Sequence, residues 1–193
     1  MKKLILSLGM ASCLVSAQAA VYIFDATLTG ANESPANASP AFGYAVFQYD
    51  DAAHSLTVQA LFAGLIGTTT AAHVHAPTAL PFQGTASVAT TVPNFAGFPT
   101  GVTLGLYNNT LDLTAASSYN PAFVTANGGT TAGAEAALVA AMFAGRSYLN
   151  IHTTQFPGGE IRGFLTLVPE PSSFALLTLG GAALMGVRAR RRA

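Results

Sequence analysis

The sequence predicts an all-β fold: a Greek-key β-sandwich or barrel of about eight strands, with one short helix before a closing hairpin. Three observations predict it. Short runs of apolar residues alternate with polar ones at period two, as strands with one buried face do. Clusters of Gly, Pro, Asn and Ser fall between these runs at regular spacing. One stretch alone, Ala132–Ala144, has helical composition and periodicity.

In chain order, Val21–Thr29 (VYIFDATLT) alternates and opens the domain as a strand, and Gly30–Pro40 is a loop by its composition. Phe42–Tyr49 has aromatic and β-branched strand character. It turns at Asp50–Ser55 and returns along Leu56–Leu65 as a hairpin. Gly67–Ala72 leads into His73-Val74-His75, and Ala76–Gly84 is an open loop. Thr85–Val92 is expected as a further strand, then a Pro- and Gly-containing loop over Pro93–Gly101. Val102–Tyr107 and Thr110–Leu113 are expected as two strands around an Asn108-Asn109 turn. In Ala132–Ala144, Leu138, Val139, Met142 and Phe143 form an apolar stripe, and Gly145 is a fitting stop.

The closing stretch Arg146–Leu165 reads as two strands joined at Pro157-Gly158-Gly159, whose residue types suit a tight reversal. Leu149 and Ile151 point to the core, with Tyr148, Asn150 and His152 opposite. Beyond the turn Ile161, Leu165 and Leu167 alternate with Glu160, Arg162 and Phe164. The expected outward face therefore collects Asn150, His152, Glu160 and Arg162, with Glu160 and Arg162 pairing across an exposed surface.

Both ends read as addresses. Met1–Ala19 has Lys2-Lys3, an apolar run from Leu4 to Val15 and Ala17-Gln18-Ala19, the three parts of a signal peptide cleaved after Ala19. A lipoprotein with Cys13 acylated is the weaker alternative. At the other end, Val168-Pro169-Glu170-Pro171 precedes an apolar run from Phe174 to Val187 and a basic terminus with four arginines. The run is shorter than the roughly 20 residues that span a bilayer comfortably. The expected organisation is residues 1–19 as signal peptide, 20–167 as β-domain and 168–193 as a sorting signal with a transmembrane segment. Cys13 is the lone cysteine, so the exported domain would hold no disulfide.

Charge narrows the partners. Charged residues make up 8% of the chain, against about 25% in typical soluble domains. Between Ala20 and Val168 there are seven acids against two bases, Arg146 and Arg162, a net −5. Nucleic acid is thereby excluded as an expected partner, and contact with a membrane is expected only through the C-terminal segment. No nucleophile motif and no phosphate-binding glycine loop is present, which favours a binding module over an enzyme.

The histidines carry the candidate chemistry. His73 and His75 sit at i and i+2 on one strand, hence on one face, and His152 could supply a third imidazole from another strand. Three imidazoles suit Cu or Zn and leave an open position. Glu160 is the weaker candidate, as a fourth ligand or as acceptor from a ligand ring. The rival reading is a cluster of hydrogen bonds that tethers loops. His54, in a turn beside Asp50 and Asp51, reads as solvated.

Three resemblances rest on the residues named so far. HVHAP at His73–Pro77, the helix ending in Ala-Gly and the stretch Tyr148–Leu165 resemble the CHRD domain, found in chordin and in bacterial secreted proteins. The most specific part is H-T-x-x-x-P-G-G-E-I-R-G, here with His152, Pro157, Gly158, Gly159, Glu160, Arg162 and Gly163, preceded by Asn150. The resemblance implies an extracellular β-domain with a binding or scaffold role, and the expected partners are exopolysaccharide or envelope components. The C-terminal end resembles the PEP-CTERM sorting signal of Gram-negative bacteria. That implies recognition of Val168, Pro169, Glu170 and Pro171 by an exosortase, which removes the tail and releases the protein at the cell surface. A single-pass anchor is the alternative use of that segment. A remoter similarity, to Cu/Zn superoxide dismutase, matches His73, His75 and His152 to three ligands. A fourth histidine, the zinc-loop aspartate and the disulfide have no counterpart here.

Overall fold

The structure, a computed structural model, describes residues 20–169. The expected signal peptide, Glu170, Pro171 and the apolar run to Val187 lie outside the described residues. Among those described, no helix is long and apolar enough to cross a membrane.

Eight strands form one antiparallel, strongly curled sheet, a half-barrel of the expected all-β class. They are β1 (Val21–Thr29), β2 (Phe42–Asp50), β3 (Ser55–Ala63), β4 (Thr69–His75), β5 (Gly105–Asp112), β6 (Tyr148–Thr153), β7 (Ile161–Phe164) and β8 (Thr166–Leu167). Their order is β4-β6-β7-β1-β2-β3-β5, with β8 also pairing β1. Two short helices, α1 (Pro121–Ala126) and α2 (Thr131–Phe143), complete the domain.

Period-two alternation decides what the sheet buries. Phe24, Ala26 and Leu28 of β1 lie beside Ala45, Phe47 and Tyr49 of β2, and Leu56, Val58, Ala60 and Phe62 of β3 continue the same face. Leu149, Ile151, Ile161, Ala72 and Val74 extend it to the other edge. Helix α2 closes this face with Leu138 and Met142, and Phe143 meets the rings of Tyr22 and Phe24 edge-on. Farther along, Phe95 and Phe98 pack against Tyr107, and Phe98 stacks on Phe62. Fully burying an aromatic or aliphatic side chain contributes about 1.5–3 kcal/mol each.

Three expectations of secondary structure need correction. Val102–Tyr107 and Thr110–Leu113 are not two strands around an Asn108-Asn109 turn. They are one strand, β5, because β3 offers an unbroken edge on which Asn108 pairs with Gln59 and Asn109 with Val58. Thr85–Val92 forms no strand. It runs beside β4 with a single bridge, His75 to Val88, since the Val74 N–H bonds to the Thr90 hydroxyl at 2.9 Å in place of a ladder carbonyl. Helix α1 was not expected. Its signal was Asn120-Pro121: the Asn120 side chain accepts from the Ala122 N–H, and Pro121 takes the first turn, where its missing N–H costs nothing.

A further correction concerns the other face of β4, β6 and β7. Leu149 and Ile151 do face the core, but the opposite side is covered as well. Asn150 is 3% exposed, Arg162 4%, His73 7% and His75 9%. Segments around Asn32 and Gly84–Ala86 reach over this end of the sheet and bond to its side chains. Leu167, expected to share the core face, is exposed on short β8.

Candidate metal centre

Strand pairing brings the histidines together. β4 runs antiparallel to β6, with His75 opposite Tyr148, His73 opposite Asn150 and Ala71 opposite His152. Because Ala72 and Val74 take the core face, Ala71, His73 and His75 share the other face. His152 stands diagonally across from His73, within side-chain reach on an antiparallel pair. One ring nitrogen from each of His73, His75 and His152 lies within 4.8 Å of the others. The rings of His73 and His152 are 4.7 Å apart and those of His73 and His75 4.9 Å.

Backbone carbonyls fix two tautomers. The Nδ1–H of His75 donates to the Ala86 carbonyl at 2.8 Å, and the Nδ1–H of His152 donates to the Pro157 carbonyl at 2.8 Å. Each therefore carries a lone pair on Nε2, the arrangement usual for metal-binding imidazoles. Nε2 of His75 lies 3.1 Å from Nδ1 of His73, which donates its proton there; a metal held by these two nitrogens would require that proton on Nε2 of His73 instead, which keeps the ring neutral. Nε2 of His152 is buried and has no hydrogen-bond partner. The Pro157-Gly158-Gly159 turn thus acts on the site through a carbonyl, since it places the Pro157 oxygen against His152.

The rings are held neutral. Burial first, then the neighbouring imidazoles of His152 and His75, lower the pKa of His73 to about 3. Burial lowers His75 to about 4 despite the bond to Ala86, with His152 and Arg162 adding repulsion. Burial lowers His152 also, against the opposing bond to Pro157. A neutral ring is the form that binds metal.

Around this cluster the remaining polar residues have other partners. Glu160, the weaker ligand candidate, lies outside the three-histidine group. Its carboxylate is fully buried and accepts from Ser39 Oγ at 2.6 Å, Ile66 N at 2.6 Å, Thr153 Oγ1 at 2.7 Å and Gly67 N at 3.2 Å. Burial raises its pKa, and these hydrogen bonds outweigh burial to hold it below the usual carboxylate value. Nor does Glu160 pair with Arg162. Arg162 donates to the carbonyls of Asn32 and Gly84, lies 3.8 Å from Glu33 and sits 4.7 Å over the Tyr148 ring. Tyr148 in turn stacks on His75, with centroids 4.8 Å apart and planes 4° from parallel. His54 is exposed as expected, but its Nδ1 lies 2.9 Å from both oxygens of Glu135.

Sequence reasoning missed Glu33. Its side chain is 6% exposed and its Oε1 has no hydrogen-bond partner. Burial raises its pKa to about 7, although Arg162 and the Ser34 N–H oppose the shift. Gly159 explains the packing here: at φ +127° a Cβ would come within 2.4 Å of Asn150 Nδ2 and 2.7 Å of Glu33 Oε1. Gly163 is required for a different reason, as its Cβ would lie 2.4 Å from the Thr27 carbonyl of β1.

Fold and site together define an all-β domain with a three-imidazole cluster on a covered sheet face. The chain belongs to the CHRD-domain family, whose model matches residues 24–165. The PEP-CTERM protein-sorting motif matches residues 167–192, as the resemblance at the C-terminal end implied. No curated protein and no solved structure matches the chain. The sorting motif supports export with processing by an exosortase and a place at the cell surface or outside the cell. Val168, the first residue of that motif's Pro-Glu-Pro region, still donates its N–H to the Ile23 carbonyl at 2.8 Å, so the motif begins flush with the sheet.

Proposed function

We infer that this exported domain is a metal-binding module, with His73, His75 and His152 as ligands to one copper or zinc ion. The observation that carries the reading is His152. Its Nδ1 is committed to Pro157, and its buried Nε2 is left without a protein partner in a ring 4.7 Å from His73. A buried acceptor without a partner costs about 1–3 kcal/mol, and a coordinated ion would remove that cost. The tethering reading accounts for Nδ1 of His75 and His152 but leaves this nitrogen unexplained. Three neutral imidazoles would fix the ion, while Ala86 and Pro157 would hold the ligand rings in orientation.

The wider role is that of a surface binding or scaffold module, with exopolysaccharide or envelope components as partners. The sorting motif supports a place at the cell surface, and Leu61, Leu104 and Leu106, exposed on or beside β3 and β5, offer an apolar surface to a partner. Residues 1–19 would serve as signal peptide, 20–167 as the domain and 168–193 as the sorting signal. Elemental analysis of domain purified without chelator tests the metal reading. One equivalent of copper or zinc per chain is expected, and its loss in His73→Ala and His152→Ala. Absence of stoichiometric metal, or content unchanged in both variants, overturns it.

A further inference from the structure

The charges around the cluster bear on which ion it takes, an inference that rests on the metal reading above. The three ligands contribute no charge, since His73, His75 and His152 are the only members of the group among the described residues and imidazole coordinates through a neutral ring nitrogen. No Asp or Glu oxygen joins the group among the described residues. Glu160 is the nearest acid on this hairpin, and its oxygens are committed to Ser39, Thr153 and the Ile66 and Gly67 amides. Glu33 sits against Arg162, and Glu135 is paired with His54. The charge that is coupled to the site is positive. Arg162 lies over Tyr148, and Tyr148 stacks on His75.

A cation that enters this site therefore meets no counter-charge. The cost of moving an ion out of water grows with the square of its charge, so a dication is penalised about four times as heavily as a monocation. Repulsion from Arg162 doubles as well. Among dications copper outranks zinc at nitrogen sites, which leaves oxidation state as the remaining choice. Imidazole binds copper in both states, so charge decides between them.

We propose that the His73–His75–His152 centre is selective for monovalent copper, held by three imidazoles, over Cu2+ and Zn2+. Copper enters as Cu+ and no electron transfer is required of the protein. Where Cu2+ is supplied, one electron from an external reductant such as ascorbate converts it to the preferred state.

The test is an anaerobic titration of the folded domain with Cu+, kept reduced by ascorbate and buffered by bicinchoninate, in parallel with Zn2+ and with Cu2+ without reductant. One Cu+ per chain is expected, retained against excess Zn2+. A second arm supplies the missing charge. Ala71 is half-buried, faces the ligand side of β4 and pairs with His152. Ala71→Glu is expected to shift the balance toward Zn2+ and Cu2+ by about tenfold. Should that variant fail to fold, voltammetry of the copper-loaded wild type gives the same information, with a potential expected above that of copper held by imidazole in water. Preference for Zn2+ or Cu2+, an unmoved ratio in folded Ala71→Glu, or a potential below the reference overturns the proposal while the metal reading stands. Failure to bind any of the three ions overturns both.

Discussion

Nδ1 of His73 lies 3.1 Å from Nε2 of His75, two positions along the same strand. The pair meets because β4 turns both rings to the side away from Val74, and His152 of β6 completes the group. Burial lowers the pKa of all three rings, so protons compete weakly for these nitrogens.

That weak competition predicts an unusual pH profile for metal affinity. Exposed histidines titrate near 6.5, and their metal affinity falls as pH drops through that value. Here His73 and His75 stay neutral until about pH 3 and 4. Burial lowers His152 as well, so affinity in competition with a chelator of known pH dependence is expected to hold through pH 6.5 and to fall only at lower pH. A steep decline beginning at pH 6.5 contradicts the buried, neutral site.

Glu33 provides a stability prediction with a defined sign. Its folded pKa is about 7 against an ordinary value of 4.5, so between those values the folded state binds more protons than the unfolded state. Its contribution is fully present below pH 4.5 and is lost as pH rises through about 7. Glu33→Gln removes this dependence. The stability difference between variant and wild type, from urea denaturation, should shift in favour of the variant between pH 4.5 and 8. A difference independent of pH excludes a protonated Glu33.

Glu160 anchors three separated segments: Ser39, the Ile66-Gly67 amides and Thr153. Glu160→Ala leaves buried donors without an acceptor and should cost about 3 kcal/mol. For a domain of this size that lowers Tm by about 10 °C. Metal stoichiometry of the folded variant should be unchanged. Loss of metal from a folded Glu160→Ala protein restores Glu160 as a ligand.

Gly163 tests the close approach of β7 to β1. An added Cβ would lie 2.4 Å from the Thr27 carbonyl, which belongs to backbone and cannot swing away. Gly163→Ala should destabilise by about 2–3 kcal/mol, whereas Gly158→Ala, with nothing within 4 Å of its added Cβ, should leave the denaturation midpoint nearly unchanged.

Much of the fold was legible in the sequence. Strand β1 runs over the residues its alternation marked, and α2 lies within one residue of the expected helix at each end. Local pattern suffices there, because one face of each element meets a core. It failed at Asn108-Asn109, where turn-like composition gave way to the edge offered by β3. The candidate site was legible in part. Alternation put His73 and His75 on one face, but the covering of that face by Gly84–Ala86 and Asn32 leaves no period in the sequence. Glu160 looked exposed for the same reason, since Ser39 and Ile66 lie 121 and 94 residues away along the chain. That β4 pairs with β6 follows from topology, which alternation within either strand does not report.

Whether His73, His75 and His152 hold one metal ion together is read by X-ray absorption on the metal-loaded domain. A shell of three imidazole nitrogens at about 2.0 Å is expected, reduced in His152→Ala. A shell dominated by oxygen, or one unchanged in His152→Ala, would contradict it.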